Sequence, residues 1–390
     1  MKKIIFFILI ALLTVSLGAR WNITGAGARA AGIGGAFIGV ADDATAVVWN
    51  PGGLTQLYRP EASIVSKYSS SKSTLENWEN VKSNFVLEFV SAAYPFMDGK
   101  LVVAAAYQRP IDLYENFISG TTEINSTGGV DTFTFGAGYQ ALPILSLGFA
   151  ANMWFGKYEK DCIDEYAGTY YSNSYNEYYD LYLTGEMSQI FSGFNMVFGI
   201  MANFENLQNS LPLKLGFTAR TPFELEAEEE GSYFREYYWW DGDYGYDNIV
   251  YDDGKATNEM PLMLGFGSSY RFGDNFTLMA DYETRAYGES NINAHDENLS
   301  QFRVGAEYLV VTDFIVIPLR AGYQSVPTLM ADINGDPIIG SGFSFGTGLI
   351  FEKFAFDTAF TMAANENDRG EYGIQDNMYI KFIFSGIVYF

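Results

Sequence analysis

Segments in which every second residue is apolar recur along the chain and constrain its fold more than any other feature. In 341–351, Phe343, Phe345 and Leu349 alternate with glycine and serine, and in 276–285 apolar residues alternate with threonine and charged residues. Period-two alternation is typical of a β-strand that separates two environments. Several segments approach the roughly 9–11 residues that a tilted membrane strand needs. The chain is therefore predicted to be all-β, as a soluble sandwich or a membrane barrel.

The connectors between these segments separate the two alternatives. They are alternately short and long, as are the periplasmic turns and extracellular loops of outer-membrane barrels, which have an even number of strands. A sandwich has no reason to keep this alternation along the whole chain. We therefore predict a 14-stranded antiparallel transmembrane β-barrel. The strands are expected near 59–68, 84–96, 100–109, 131–140, 144–157, 187–201, 211–225, 258–271, 275–287, 299–310, 314–324, 341–351, 354–364 and 378–390. The long loops are expected near 69–83, 110–130, 158–186, 226–257, 288–298, 325–340 and 365–377.

The last predicted strand, 378–390, supports the barrel. Met378, Phe382 and Phe384 share one face with the terminal Phe390. A terminal aromatic residue on the outward face resembles the C-terminal signal of bacterial outer-membrane barrels. We therefore expect the barrel-assembly machinery to be a partner through this strand, and we expect the protein to lie in the bacterial outer membrane.

The start of the chain and its composition exclude several classes of protein. Two lysines, an apolar run over 4–17 and small residues up to Ala19 predict a signal peptide at 1–19. The net charge of −24 argues against nucleic acid as a partner. The single cysteine, Cys162, excludes an intramolecular disulfide, and the single histidine, His295, has no nucleophile motif near it. No metal, cofactor or enzymatic activity is expected.

Residues 25–54 are rich in glycine and alanine and nearly uncharged, unlike the rest of the chain. Glycines such as Gly34 and Gly35 let the main chain pack closely inside a narrow lumen. Asp42 and Asp43 are positioned to cap a short helix, and an Asn-Pro pair is typical of the next helix start. The segment is therefore predicted to form a small helical and coil plug in the lumen. The residues that carry this prediction are Gly34, Gly35, Asp42, Asp43, Trp49, Asn50 and Pro51.

Four short motifs in this segment resemble the N-terminal hatch of FadL-type outer-membrane transporters of long-chain fatty acids and hydrocarbons. They are Gly27-Ala28-Arg29-Ala30, Gly32 to Phe37, Ala41 to Ala44 and Trp49-Asn50-Pro51. The resemblance implies a monomeric barrel with the hatch inside, which passes hydrophobic small molecules inward and often releases them laterally through a kinked third strand. The domains would then be a signal peptide at 1–19, a hatch at 20–58 and a barrel at 59–390.

Two positions depart from the FadL pattern, and two other functions stay open. Gly52 stands where the family usually has alanine, and the third predicted strand has no glycine or internal proline within 101–109, so that a wall opening is not visible. PorV-like barrels share much of the hatch and act as a scaffold or shuttle in protein secretion. A surface adhesin or receptor is the other alternative. Besides a hydrophobic small molecule, the resemblance implies contact with outer-membrane lipid and lipopolysaccharide.

Two sets of residues are candidate functional sites. Tyrosines combine an apolar ring with a polar tip, which suits the capture of hydrophobic molecules, although they are also common in ordinary loops near the membrane interface. Inward charges are expected to pair with one another and hold the plug, while an arginine could meet a substrate carboxylate. The capture candidates are Tyr170, Tyr171, Tyr178 and Tyr179. The lumen charge candidates are Arg220, Asp281, Glu283, Arg285, Arg303, Glu307 and Arg320.

Two acidic segments resemble cation sites only in part. The run from Glu224 to Asp253 matches no complete calcium loop and is expected to be solvated. Asp332, Asn334 and Asp336 resemble the start of an EF-type loop, but Pro337 occupies the position that needs glycine. We predict a turn there and no metal site.

Overall fold

A computed structural model describes residues 25–75, 78–119, 122–171, 176–207, 210–239, 244–370 and 373–390. The predicted signal peptide at 1–19 lies outside the described residues, and the domain boundaries at 19 and 58 stay predictions. None of the helices in the described part has the length and apolar character of a membrane-spanning helix.

Seventeen strand segments make up one antiparallel sheet. They are β1 (Glu61–Leu75), β2 (Trp78–Phe96), β3 (Leu101–Asp112), β4 (Glu115–Ser119), β5 (Thr122–Leu142), β6 (Leu145–Tyr171), β7 (Asn176–Asn203), β8 (Leu213–Arg220), β9 (Phe223–Trp239), β10 (Tyr244–Met260), β11 (Met263–Phe272), β12 (Phe276–Arg285), β13 (Leu299–Val311), β14 (Val316–Ala331), β15 (Pro337–Ile350), β16 (Phe354–Asp368) and β17 (Ile374–Tyr389).

The sheet closes on itself, because β17 pairs with β1 from Glu61↔Tyr389 to Leu75↔Gln375. Three pairs of consecutive segments are single wall strands. β4 continues β3 along β5, β9 continues β8 along β7, and β10 leads into β11. The breaks at Pro222 and Pro261 follow from the missing proline N–H, which cannot join the ladder. The wall thus has fourteen strands, and the predicted barrel is confirmed.

The two faces of the wall have opposite polarity to those of a soluble protein. Phe343 and Phe345 on β15 point outward and are more than half exposed, whereas Ser344 between them points inward and is buried. Buried charges, including Arg303 and Arg320, also point inward. Apolar side chains outside and polar side chains inside are the pattern of a barrel surrounded by lipid. The protein is therefore an outer-membrane β-barrel.

Most of the predicted long loops are largely strand instead. In the segment expected as the loop 69–83, β1 and β2 pair as far as Leu75↔Trp78, and β3, β4 and β5 occupy most of 110–130. The two hairpins expected as the longest loops show the same. β6 and β7 are 27 and 28 residues long and pair as far as Tyr171↔Asn176, so that 158–186 is mostly a hairpin. β9 and β10 likewise pair as far as Tyr238↔Tyr244 across the segment expected as the loop 226–257. Tyrosine and threonine favour strands, and this preference outweighs the acidic and glycine content that suggested loops. Both hairpins extend beyond the length that crosses the membrane.

The hatch is described from residue 25 to residue 57 and lies inside the lumen. It contains two short helices, α1 (Ala28–Gly32) and α2 (Ala46–Trp49), followed by a 3-10 helix at Pro51–Gln56. Its side chains are almost all buried, including Phe37 and Leu54. The hatch therefore fills the lumen at the level of the periplasmic half of the strands.

Candidate functional site

A band of glycines on the inward face of the wall, from β5 to β15, lies against the hatch. We call it the glycine belt. At most of these positions an added Cβ would collide with the hatch main chain: at Gly322 it would lie 2.2 Å from the Gly34 nitrogen, and at Gly305 it would lie 2.4 Å from the Ile33 oxygen. The belt consists of Gly138, Gly148, Gly199, Gly216, Gly267, Gly305, Gly322 and Gly346.

The belt is nearly continuous from β5 to β15. Gly148 is the cross-strand partner of both Gly138 and Gly199, and Gly305 is the partner of Gly322. In the sequence these glycines are recognisable only as the small residues of alternating strands, and the pattern does not show that they contact the hatch. The sequence does contain a signal for the belt, because a glycine recurs at an inward-facing position in one strand after another.

Gly52, the departure from the usual alanine, belongs to the same contact. A Cβ at Gly52 would lie 3.1 Å from the main chain of Gly199 and Met201. The 3-10 helix therefore lies so close to β7 that any side chain at position 52 would be tight. The preceding Asn50 accepts a hydrogen bond from the Gly52 N–H (3.1 Å), and its amide donates to the Ile38 and Ile200 carbonyls (3.0 Å each).

A buried ionic network ties α1 to the wall. The Arg29 guanidinium donates two hydrogen bonds of 3.1 Å to Glu307 on β13, and Arg320 on β14 donates to the same carboxylate at 2.6 Å. Arg320 also pairs with Asp357 on β16. Buried pairs of this kind are costly to break, because the remaining charge is left without a partner. The network therefore fixes the position of the hatch against three strands.

The predicted capping role of the two aspartates is wrong for Asp42. Its carboxylate pairs with Arg29, and α2 begins only at Ala46 after Thr45, which makes no side-chain capping bond. Asp43 accepts hydrogen bonds from the Thr45 N–H (2.8 Å) and from its hydroxyl (2.5 Å). It therefore shapes the turn before the helix. The Asp42 carboxylate is engaged by Arg29 and lies three residues before Thr45, the N-cap of the helix.

A second charged cluster lies beside Trp49 of the hatch. Glu283 pairs with Arg285 and, at 3.5 Å, with Arg303, whose guanidinium carbon lies 5.8 Å from the Trp49 ring centroid. One Arg303 nitrogen, Nη1, is buried without a hydrogen-bond partner in the described part of the chain. The Arg220 guanidinium makes no ion pair or hydrogen bond with any described residue, although its main chain is paired in the sheet. The cluster therefore has cationic groups to spare.

These spare cations line a small cavity of about 30 Å³ between the hatch and the wall, which has room for a water molecule. Trp49, Arg220, Glu283, Arg303 and Met263 are among its lining residues. Nearby, Asp281 Oδ2 accepts the Ile38 N–H of the hatch at 2.8 Å. Two groups of the predicted lumen charges thus emerge, one holding α1 and one at or beside this cavity, while Asp281 binds the hatch at Ile38.

A buried apolar cluster occupies the lumen beyond the hatch. Its members lie farther from the short periplasmic turns than the belt glycines on the same strands do. Met263 belongs to this cluster and also lines the small charged cavity. The sequence predicted capture by tyrosines instead, since inward apolar residues near strand ends give no separate signal. The cluster comprises Ile111, Leu113, Val130, Trp154, Tyr158, Phe191, Leu225, Ala227, Met260, Met263, Tyr287, Leu299 and Leu329.

A cleft of about 530 Å³ opens on the outer surface of the wall at β3, β5, β6 and β7. Phe155, which faces outward, lines it together with Phe191, which belongs to the apolar cluster. The ladder between β3 and β5 shifts register between Gln108 and Ile111, around Pro110. β3 extends past residue 109, so the proline that was not visible within 101–109 lies inside the strand.

Polar side chains hold the edge of this cleft. Arg109 donates to both oxygens of Asp131 at 2.7 and 3.0 Å, and the Tyr107 hydroxyl donates to the same carboxylate at 2.9 Å. Gly128 lines the cleft with φ of 104° and lies against the Lys157 carbonyl. Positive φ and close approach both require glycine at this position.

The remaining predicted residues are the four capture tyrosines, whose role stays a prediction, and the segment that resembles an EF-type loop. Tyr170 and Tyr171 lie on β6, and Tyr178 and Tyr179 lie on β7, but their side chains are outside the described residues. In the turn after β14, Asp332 Oδ1 accepts the N–H groups of Asp336 (2.9 Å) and Asn334 (2.8 Å), and these hydrogen bonds lower the pKa of Asp332. Across the described ranges, no group of three acidic, histidine or cysteine side chains is arranged to hold a metal ion.

A comparison with known protein families identifies the family of this chain. A family model described as BamG matches residues 34–382, which include most of the hatch and nearly all of the barrel. The chain belongs to the BamG family. No curated protein sequence matches this BamG-family chain.

Solved structures share its fold over almost the whole length. The Pseudomonas putida toluene transporter TodX has a TM-score of 0.68 at 13% identity and covers 95% of this chain and 99% of its own. A Pseudomonas aeruginosa FadL homologue has a TM-score of 0.64 at 12% identity, with coverage of 95% and 99%. The Ralstonia pickettii toluene transporter TbuX has a TM-score of 0.59 at 15% identity, with coverage of 95% and 100%. The FadL-type fold is thereby confirmed, and none of the three is described as an enzyme.

We predict that Gly322→Ala loosens the hatch, because the new methyl group would overlap the Gly34 nitrogen. Overpacking of this kind costs about 1–3 kcal/mol. The expected result is faster trypsin cleavage after Arg29 in the purified barrel. Gly386→Ala is the matched control, since its Cβ would lie 3.6 Å from the nearest atom, on Ile64. Equal cleavage rates in the two variants would contradict the role of the belt.

Proposed function

We propose that this BamG-family barrel transports hydrophobic small molecules, such as long-chain fatty acids, across the outer membrane. The observation that carries the proposal is the buried apolar cluster beyond the hatch, which the cleft in the wall reaches at Phe191. Ligand sites of transport proteins are typically apolar with a few polar groups, and a cleft of about 530 Å³ lies in their usual size range.

The hydrophobic body of the ligand would lie among the apolar residues, and a polar head group would lie at the charged cavity below them. Met263 joins the two regions, since it lines the cavity and packs in the cluster. Arg220 and the unpartnered Nη1 of Arg303 would meet a carboxylate there. Charge-assisted hydrogen bonds of this kind are among the strongest available to a protein.

The hatch would prevent ions from following the ligand, because it fills the lumen below the cluster. A ligand held above it then needs another exit, and the cleft between β5, β6 and β7 offers one into the outer leaflet. Gly128 and Gly156 line this cleft and contribute no side chain to its wall. Lateral release through this cleft is therefore part of the proposal.

The barrel-assembly machinery remains a proposed partner, through the C-terminal strand and the terminal Phe390.

We predict that Ile190→Trp slows uptake of labelled oleate severalfold in cells that lack their own transporter. Ile190 lines the cleft and is 54% exposed, so that a larger ring would obstruct the exit. Ile163→Trp is the matched control, because Ile163 lies on the same face at 52% exposure and does not line the cleft. Uptake that is unchanged in Ile190→Trp would exclude release by this route, and no uptake by the intact inserted protein would exclude fatty acid as the substrate.

We predict that Arg220→Gln reduces uptake of oleate but not of toluene, since only oleate carries a carboxylate. A hydrogen bond to a charged group contributes about 1.5–3 kcal/mol, which corresponds to roughly a 10- to 150-fold change in affinity. Arg271→Gln is the control, because Arg271 pairs with Glu205 outside the lumen at the short turns. An equal loss for both ligands would show that Arg220 acts on the barrel structure and does not bind the head group.

A further inference from the structure

The long hairpins build a four-stranded sheet that begins at the level of the cleft and continues beyond the membrane. β9 pairs with β7 from Ser192↔Glu226 to Tyr179↔Trp239, and β10 pairs with β9 as far as Tyr238↔Tyr244. In the described part of the chain β10 has no second strand partner, because β12 ends at Arg285, level with Met263 of β11. β10 is therefore the free edge of this sheet.

The lowest part of that edge is already covered by side chains that imitate a strand. The Asn291 amide donates to the Thr257 carbonyl at 2.6 Å and accepts the Glu259 N–H at 3.0 Å. The Ser290 hydroxyl donates to the Glu259 carbonyl at 2.6 Å. These groups occupy the positions that a neighbouring strand would fill. At Lys255, two residues before Thr257, no described main-chain group continues the pairing.

The outward face of the same sheet is strongly acidic and partly apolar. Its carboxylates are exposed and come from all four strands, and the exposed bases among the described side chains of this face are Lys157 and Lys255. Two copies of such a surface repel each other, so a second copy of this chain is a poor occupant. The exposed carboxylates are Glu159, Asp161, Glu186, Glu226, Glu228, Glu230 and Glu259. The exposed apolar side chains are Ile163, Ile190, Phe234 and Tyr246.

We propose that the free edge of β10 binds an extended, basic segment of another polypeptide, which joins the sheet as an additional strand. Main-chain hydrogen bonds would supply affinity, as in other cases of strand addition, and alternate side chains would supply specificity. Basic residues at every second position would face the carboxylates, and the residues between them would face the opposite side of the sheet. This activity is independent of transport, since the edge lies outside the lumen.

The direction of the main-chain groups identifies a residue for the test. The Thr257 carbonyl faces Asn291 and not β9. Residues two apart on a strand point their main-chain groups to the same side, so the Lys255 N–H also faces the free edge. Lys255→Pro removes this donor without removing a bond to β9. Lys255→Ala keeps the donor and removes only the charged side chain, which makes it the matched control.

The experiment measures fluorescence anisotropy of a labelled peptide of four Lys-Val repeats with the purified full chain in detergent. We expect binding that weakens with salt, and no binding of a matching Glu-Val peptide. Lys255→Pro should weaken binding about 3- to 10-fold, as expected for one lost hydrogen bond, while Lys255→Ala should bind at least as tightly as the wild type. Equal affinities for the two variants, or no binding by the wild type at low salt, would overturn the proposal.

Hydrogen exchange of the wild-type protein gives a second readout that does not depend on how the variants fold. Addition of the Lys-Val peptide should slow exchange of the main-chain amides over 254–257. Exchange elsewhere in the barrel, for example on β15, should not change. Unchanged exchange along β10 at saturating peptide would show that the peptide binds to the acidic face without strand addition, and this result would also overturn the proposal.

Discussion

The close contact between the hatch main chain and the glycine belt is the constraint on which the rest of the structure depends. A 14-stranded barrel encloses more space than its own inward side chains fill, and here a polypeptide segment takes that space. The segment fits because many of the strands have glycine where they contact it, as at Gly148, Gly216 and Gly322. Backbone packed on backbone leaves little room for water, so occlusion of the lumen follows from the glycines themselves.

Polar and charged side chains also hold the hatch against the wall, in addition to the glycine contacts. Arg29 holds one side of the hatch through a carboxylate that Arg320 shares, and Asn50 holds the other through two main-chain carbonyls. The second charged cluster differs, because Arg220 and Arg303 retain unused donors at a cavity that adjoins the apolar residues. The lumen therefore contains two charged regions. One fixes the hatch, and the other is the region where the proposed amphipathic ligand would place its head group.

The fold was largely predictable, and the site much less so. Alternation such as that of Phe343 and Phe345 has a strict period, and closure of the barrel follows from strand count and connector length. The predicted lengths of the hairpins were wrong, because the acidic and glycine-containing composition near Tyr170 resembles that of a loop even where strands pair. The apolar cluster and the cleft depend on which strand ends face one another across the lumen, and Phe191 and Leu299, far apart in the sequence, belong to the same cluster. No local pattern encodes that arrangement.

The most direct test of the account is the ion conductance of the purified barrel in planar lipid bilayers, with and without the hatch. The intact chain should conduct almost no ions, because the hatch main chain lies against the belt around most of the lumen. A chain lacking residues 25–57 should form a stable open channel if it inserts as a barrel. Substantial steady conductance of the intact chain, equal to that of the deletion, would contradict the central claim that contact between the hatch and the glycine belt closes the lumen.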